Sequence, residues 1–513
     1  GYTRGHKEAT SLIQHIEGTK NVTVNQYDPL SYRNTMGEVN VGFNYDLNDE
    51  NSIGASYDLE CEPYAKGHVD GQQEIFNEGQ PVDIIKQKVL VDDIGGPTHE
   101  LNAYYVGKVN KLGVDFNGTY LWQKTGRDML ETEEATVLEN REIHTASRRH
   151  NQLLAGKLVL SYPIAKGQLE LGSEVSHTHS SGDYSNAEGI VADASTDMKE
   201  DNLAGFLAFS YPLGSFSMDA GLRYEYVSAK YYSFGKYEEE PSRNYSNWFP
   251  NLTLSWNKEP WAASLAYTCK TKRPSYSSLR NEVQYDNRYM YEGGDPYLRP
   301  TIAHDVSLDV MCNWISFGVE YLYEDNPIIW YATLYKHQDI AFLRNMNFSS
   351  KQTMTAYVIA APKFDWYQPT WQVFFQKPFF DAEKYGAPRG LSKPALGITW
   401  NNKFKLSSTW TSWVTLHANT TSYNAFRRYR SGYFASMRMV KTFFDEALTV
   451  NFYADDIFRS QKDQWTMYGD HATLTKDSYN SAREIGVRVV YKFNSGHRKY
   501  KGSGAGNAEK SRF

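Results

Sequence analysis

The stretch Phe216–Tyr226, FSMDAGLRYEY, alternates between two kinds of side chain. Apolar or aromatic side chains occupy its even-numbered positions, whereas small or charged ones, among them Asp219, Arg223 and Glu225, occupy its odd-numbered positions. A period of two places these two sets on opposite faces of a β-strand. The stretch therefore predicts a strand with one apolar and one polar face.

The same alternation recurs at Val39–Leu47, Leu112–Trp122 and Ile485–Phe493. Such strands are about 10 residues long, which is the length that crosses a bilayer at a tilt, whereas soluble strands usually have about 5–6 residues. The longest unbroken apolar run, Ala356–Ala361, has six residues, so we expect no membrane-spanning helix. The pattern favours transmembrane β-strands.

Short polar links join these strands in pairs. We count nine such turns: 48–51, 109–111, 164–167, 213–214, 257–260, 313–314, 363–368, 405–408 and 444–446. Long polar stretches lie between the pairs, for example 63–97, 125–149, 180–200, 273–300 and 459–481. Short periplasmic turns that alternate with long extracellular loops are typical of an outer-membrane barrel.

Nine turns join eighteen strands, and further strands in Gly1–Ile16 and Ser481–Phe493 flank them. The predicted fold is therefore all-β, a transmembrane antiparallel β-barrel of about 20 strands. Aromatic residues are 15% of the chain and gather near the predicted strand ends, as in the interfacial girdles of such barrels. A soluble propeller is the structural alternative, but its blades have four short strands per repeat.

Composition excludes other classes of protein. The net charge of −6 argues against a nucleic-acid partner, which would require a basic face. Three cysteines form no disulfide framework. Inward-facing charges such as Asp115, Arg223 and Glu225 have two interpretations, a cross-strand ladder that stiffens the wall or a seat for a plug. We favour the ladder, with plug contact as a second role.

A family resemblance begins at Arg273. Arg273-Pro274 with Leu279, then Tyr285-Asp286, and then Gly294-Asp295-Pro296 with Leu298 and Pro300, resemble the R-P…L-N-P…Y-x-D…G-N-P-x-L-K-P signature of the outer-membrane β-barrel family allied to TonB-dependent receptors. Two departures are visible, Arg280-Asn281-Glu282 in place of the continued L-N-P and Asp295 in place of Asn. The segment Lys499–Asn507 also resembles a tail common in the family.

The resemblance implies several features of the protein. Relatives carry a plug domain and a 22-stranded barrel, so we expect residues 1–493 to be the barrel portion of a longer receptor that would have 22 strands. Residues 494–513 are expected to be a periplasmic tail. The implied location is the bacterial outer membrane, and the implied partners are its lipid, the TonB complex acting through a plug outside this chain, and a surface lipoprotein.

No catalytic or metal-binding motif is present, so we expect no enzyme activity, no metal site and no cofactor. Aromatic residues in the predicted outer loops are the candidates for substrate contact, although they could equally pack the loops together. These candidates are Tyr285, Tyr289, Tyr291, Tyr297, Trp330 and Tyr331.

The leading functional hypothesis is import of a scarce nutrient, such as a siderophore, a glycan or a peptide, by a TonB-dependent receptor-like barrel. The alternative is a passive pore or a structural barrel that scaffolds partner proteins. An outer-membrane enzyme is disfavoured because no catalytic set of residues is found.

Overall fold

A computed structural model describes residues 2–479, 482–492 and 502–513. These residues are almost entirely β-strand. Within the described ranges, no helix combines the length and the apolar character needed to cross a membrane. The predicted all-β class is confirmed.

The strands follow one another with few other elements between them. The first eleven are β1 Tyr2–Glu17, β2 Asn21–Asn48, β3 Asn51–Asn77, β4 Gln80–Val109, β5 Leu112–Ala135, β6 Arg141–Ile164, β7 Gly167–Asn186, β8 Ala194–Leu213, β9 Phe216–Ser233, β10 Lys236–Lys258 and β11 Trp261–Lys272. The next eight are β12 Val283–Asn287, β13 Met290–Gly293, β14 Thr301–Cys312, β15 Ile315–Asp325, β16 Ile328–Leu334, β17 Ala341–Asn347, β18 Ser350–Ala360 and β19 Tyr367–Phe379.

The remaining strands are β20 Ala395–Lys405, β21 Trp410–Asn419, β22 Ser422–Asn424, β23 Arg427–Tyr429, β24 Gly432–Phe443, β25 Leu448–Asp455, β26 Asp463–Tyr468, β27 Ala472–Tyr479 and β28 Glu484–Tyr491. A 3₁₀ turn at Ala382–Tyr385 follows β19, and a single helical turn, α1, covers Asn507–Lys510.

Twenty of these strands form the wall of the barrel, and the short strands β22, β23, β26 and β27 extend the same antiparallel sheet. All nine predicted turns lie between paired wall strands, from β2–β3 to β24–β25. The predicted number of wall strands is therefore confirmed. On the extracellular side β1 pairs with both β2 and β27, which brings the two ends of the wall together.

In the described part of the chain, the periplasmic half of β2 pairs with β3 alone, and β28 pairs with β25 alone.

The first half of the wall rises far above a bilayer. Strands β2, β3 and β4 have 28, 27 and 30 residues, about three times the length that a tilted membrane strand requires. The polar stretches 63–97, 125–149 and 180–200 therefore differ from the expected loops, because most of their residues continue the strands. Their backbone groups remain paired across neighbouring strands up to tight turns.

The two faces of the strands differ in exposure as the alternation predicts. On β8, the outward-facing Leu203 and Leu207 are 55% and 49% exposed, whereas the inward-facing Ala204 is 1% exposed. The predicted ladder of charges is present on the inner face. Arg223 on β9 contacts Glu174 on β7 at 3.0 Å and Glu225 on its own strand at 2.6 Å.

A second, four-stranded sheet lies inside the extracellular part of the wall. It is formed by β12, β13, β17 and β16 and is called the inner sheet below. Its side chains Met290, Leu343 and Tyr331 share one buried cluster with wall residues. Those wall residues include Ile16, Val24, Ile75 and Ile85, and the cluster also contains Met467 on β26 and Leu474 on β27. A further buried cluster joins Tyr285 and Tyr291 of the inner sheet to Ile143 on β6 and Tyr184 on β7. The inner sheet therefore packs on several strands of the wall and occupies the extracellular part of the lumen.

The C-terminal residues 502–513, called the tail below, lie against the inner face of the wall. Ala505 is 1% exposed and packs on Leu121, Leu153 and Ala155 of β5 and β6. This position differs from the expected periplasmic tail over residues 494–513, whose residues 494–501 lie outside the described residues. The physical reason is that the buried charges of the tail find their partners on the inner wall, as detailed below.

The orientation of the wall strands gives a testable prediction. We expect Leu207→Arg to lower the free energy of unfolding by about 2–4 kcal/mol, because it places a charge on the lipid-facing side near the bilayer midplane. Leu90→Arg is the matched control, since Leu90 also faces outward, at 42% exposure, but lies on the extracellular part of β4. Urea titrations in lipid vesicles measure both variants.

The control should change the unfolding free energy by only about 0.5 kcal/mol, as an exposed surface change does. Equal losses in the two variants would contradict the assigned position of the membrane.

Candidate functional site

The candidate site is the interior of the barrel, which is organised by one long connection between β11 and β14. We call residues 273–300 the motif loop. It leaves the wall at Arg273, enters the lumen, contributes β12 and β13 to the inner sheet, and returns to the wall at Thr301. Every residue of the predicted family signature lies in this loop.

Arg273 and Pro274 lie at the centre of a buried charge cluster. The side chain of Arg273 is 4% exposed, and its guanidinium lies 2.6 Å from Glu225 on β9 and 2.7 Å from Glu509 of the tail. The carbonyl of Pro274 accepts a hydrogen bond from Arg512 Nε at 2.9 Å. The first two signature residues therefore join the wall to the tail.

Leu279 and Gly294 lie where the motif loop folds back on itself. Leu279 packs beside a buried cluster that contains Tyr276 and Tyr231. A Cβ atom at Gly294 would lie 2.2 Å from the carbonyl oxygen of Arg280, so only glycine allows this close approach. The glycine of the signature thus fixes the path of the loop.

The rest of the signature anchors the return to the wall. Asp295 Oδ1 accepts a hydrogen bond from the backbone N–H of Tyr297 at 2.9 Å, so the substituted carboxylate stabilises this turn. Arg243 on β10 donates to the carbonyl oxygens of Pro296 and Leu298. Leu298 is buried, and Pro300 directly precedes β14.

The departing residues Arg280, Asn281 and Glu282 pack against the wall, with Arg280 and Glu282 buried and Asn281 half-buried. Asn281 accepts a hydrogen bond from Thr196 Oγ1 at 2.8 Å and donates one to Ser233 Oγ at 3.0 Å. Glu282 lies 3.4 Å from Arg149 on β6. Burial, together with the positive charge of Arg149, lowers the pKa of Arg280 to about 10. The departure thus places polar contacts between the loop and β6, β8 and β9.

The six aromatic candidates separate into two groups. Tyr285, Tyr291 and Tyr331 are buried, and Tyr289 and Trp330 are half-buried against the clusters of the inner sheet. Tyr297 is 54% exposed. Five of the six therefore pack the inner sheet and its surroundings. Their contact with a substrate stays a prediction.

Buried carboxylates line the contact between the inner sheet and the wall. Tyr285 Oη donates to Glu133 Oε1 on β5 at 2.7 Å, and Arg288 of the motif loop also pairs with Glu133. Nearby, Gln87 on β4 donates to Glu131 Oε1 at 2.6 Å. The inner sheet is thus attached to the wall through a hydrogen-bonded row of acidic and amide side chains.

Burial changes the pKa values of this row. The pKa of Glu131 rises to about 9, first because of burial and then because of the neighbouring charges of Glu133 and Asp286. Burial also raises the pKa of Asp28 on β2 to about 6, against the opposing hydrogen bond from Gln26. The pKa of Asp286 is raised by burial and by its acidic neighbours. The carboxyl group of Glu131 therefore favours the protonated form at neutral pH.

A polar chamber of about 470 Å³ lies on the inner face of β2 to β4, beside the tail. Its lining consists of amide, hydroxyl, carboxylate and backbone groups of the wall and tail. The wall contributes Asn40, Gly42, Asn44, Ser56, Asp58, Glu100 and Asn102, and the tail contributes Gly502, Ser503, Gly504, Asn507 and Lys510. Such a lining can hydrogen-bond a polar solute.

Among the described residues, no three His, Cys, Asp or Glu side chains are grouped so that they could hold a metal ion. The chemistry that the interior offers is hydrogen bonding and ion pairing along a polar wall.

Two functional features were missed by the sequence reasoning. The buried carboxylate row gave only a weak signal, because Glu131, Glu133 and Glu134 lie within the polar stretch 125–149, which the sequence predicts to be a loop. The surface that binds the tail gave a partial sequence signal, which is the Glu509-x-x-Arg512 spacing of opposite charges near the end of the chain. Polar side chains occupy both faces of β5 around Glu131 and Glu133, and the tail is not a strand, so an alternation of apolar and polar residues could not find either feature.

Comparison with known proteins agrees with this architecture. The family model for the Outer membrane protein beta-barrel family matches residues 107–491. The structure of the copper transporter OprC aligns with a TM-score of 0.57 at 9% identity, over 93% of this chain and 81% of that chain. The siderophore receptor PirA from Acinetobacter baumannii aligns with a TM-score of 0.51 at 10% identity, over 93% and 80%.

No curated protein sequence matches the chain. The two structural alignments show a shared fold, and the family match covers most of the chain, including the motif loop. The resemblance predicted from Arg273–Pro300 is thereby confirmed. The chain belongs to the Outer membrane protein beta-barrel family, and its location is the bacterial outer membrane.

Proposed function

We propose that the chain forms the wall of an importer that carries a scarce nutrient across the outer membrane. The observation that carries the proposal is the filled lumen, in which the inner sheet occupies the extracellular part of a polar passage. A passage that is closed at rest has to open for each solute, as a receptor does. An open pore would need no inner sheet.

The TonB complex, acting through a plug domain outside this chain, is the proposed source of energy for opening. A surface lipoprotein is proposed as a further partner, on the extracellular part of the wall. Copper and siderophores, the cargoes named for the two aligned structures, join glycans and peptides as the substrate classes to be tested.

Uptake by cells tests the proposal. We expect a strain that lacks the protein to lose at least about nine-tenths of its uptake of one class among copper, siderophores, glycans and peptides, a tenfold change. A protonophore should abolish the same uptake in the parent strain, because an importer of this kind draws on the proton gradient.

Uptake that survives the protonophore would support the passive pore instead. Normal uptake of every tested class in the deletion strain would contradict the importer and favour a scaffold.

The buried carboxylate row makes attachment of the inner sheet dependent on pH. Because the pKa of Glu131 is raised to about 9 in the closed state, that state binds the proton more tightly than the open or unfolded one. The closed state should therefore lose stability as pH rises from the ordinary carboxyl range towards about 9. We expect amide protection factors in β12 and β13 to be at least about tenfold larger at pH 5 than at pH 8.

Glu131→Gln should flatten this dependence, since the amide does not titrate. Glu134→Gln is the matched control, because Glu134 lies on the same strand but is exposed. Hydrogen exchange measures all three proteins. An equal pH dependence in the wild type and in Glu131→Gln would contradict the role of the row.

A further inference from the structure

The tail contacts the wall through four consecutive backbone amides. Asn117 Oδ1 on β5 accepts from the N–H groups of Ser503 at 2.9 Å and Gly504 at 3.2 Å. Thr119 Oγ1 accepts from Ala505 N at 3.0 Å, and Glu174 Oε1 on β7 accepts from Gly506 N at 3.0 Å. Side chains of the wall thus bind the peptide backbone of the tail.

The same contact requires small residues in the tail. A Cβ atom at Gly506 would lie 2.7 Å from Ala155 Cβ on β6, and Gly506 has a φ of +66°. Both observations favour glycine at this position. The wall therefore selects the shape of the segment as well as its hydrogen bonds.

Charged side chains fix the second half of the tail. Glu509, with a side chain 3% exposed, lies 2.7 Å from Arg273 and accepts a hydrogen bond from Asn202 at 2.9 Å. The guanidinium of Arg512 forms a bidentate ion pair with the carboxylate of Glu200 on β8. Lys510 lies 2.8 Å from Glu100 on β4. Each charge of the tail therefore has an opposite charge on the wall or the motif loop.

An aromatic contact also holds the end of the tail against the motif loop. The ring of Phe513 stacks on that of Tyr276, with centroids 5.4 Å apart and planes 28° apart. The guanidinium of Arg512 lies over the same ring at 4.2 Å from its centroid. Such cation–π and stacking contacts add to the ion pair with Glu200.

The wall alone does not satisfy these charges. Glu200 is 5% exposed, and its closest cation other than Arg512 is Arg273 at 3.9 Å. A buried carboxylate that loses its hydrogen-bonded partner is strongly destabilised. The surface that holds the tail has a carboxylate that accepts bidentate hydrogen bonds, an aromatic ring for stacking, and side-chain oxygens that accept from backbone N–H groups. These are the features of a peptide-binding site.

We propose that the inner wall around Arg273, Glu200 and Tyr276 is a peptide-binding site, whose ligand presents Glu-x-x-Arg followed by an aromatic residue. The tail of the chain itself occupies the site and obstructs the passage beside the inner sheet. Any solute that takes this route must displace the tail. This site is independent of the proposed import, since a pore or a scaffold would contain it as well.

Binding of a separate peptide tests the proposal. The protein lacking residues 502–513 is reconstituted in nanodiscs and titrated with a fluorescent synthetic peptide of those residues, followed by anisotropy. We expect saturable binding to the shortened protein and none to the intact chain, whose own tail fills the site. Arg512→Ala in the peptide should weaken binding about a hundredfold or more, as loss of one partner of a buried ion pair does.

Ser511→Ala in the peptide is the matched control, because Ser511 is exposed and its hydroxyl bonds only within the tail. Glu200→Gln in the shortened barrel should weaken binding as Arg512→Ala does, with folding checked by the heat-dependent gel mobility of the barrel. A folded barrel that shows no binding up to about 1 mM peptide would overturn the proposal. Equal binding of the Arg512→Ala and Ser511→Ala peptides would do so too.

These outcomes are separate from those of the uptake experiment. Normal peptide binding by a protein that imports none of the tested solutes would support the peptide-binding site and contradict only the proposed import.

Discussion

The absence of hydrogen-bonding partners in the hydrocarbon core of the membrane is the constraint on which the structure depends. Every backbone N–H and C=O group at that depth must be paired within the protein, so the chain crosses as paired strands. Each strand then presents one set of side chains to lipid and the other to the lumen. Within the membrane, the apolar side chains therefore face the lipid, and the charged side chains face the lumen.

The inward-facing charges are satisfied by segments of the same chain. Arg223 and Glu225 form the ladder on the wall, and Glu225 also binds Arg273, which carries the connection from the wall to the motif loop. The tail then completes the cluster through Glu509 and Arg512. The wall, the motif loop and the tail are thus joined by one continuous set of ion pairs, whose members Arg273, Glu509 and Arg512 are buried, and movement of any one part must disturb the others.

The wall was predictable because its signal is local. Alternation and short turns depend on neighbours in sequence, and they placed all nine turns and the twenty wall strands. The extracellular parts of the strands were not predicted, since polar and apolar side chains share each face there: Ile85 and Gln87 are both buried, and Lys88 and Leu90 are both exposed. The tail escaped prediction because its partners are remote, with Arg512 and Glu200 312 residues apart. The positions of the motif residues were predicted, whereas their joint contact with the tail was not.

The ion conductance of the barrel in a planar bilayer tests most directly the central claim, that the lumen is filled at rest. We expect a very small conductance for the intact chain, because the inner sheet and the tail occupy the passage. We expect a stepwise larger conductance for a variant that lacks both the tail and the β12–β13 hairpin. A steady large conductance of the intact protein, equal to that of the variant, would show that the lumen is open at rest.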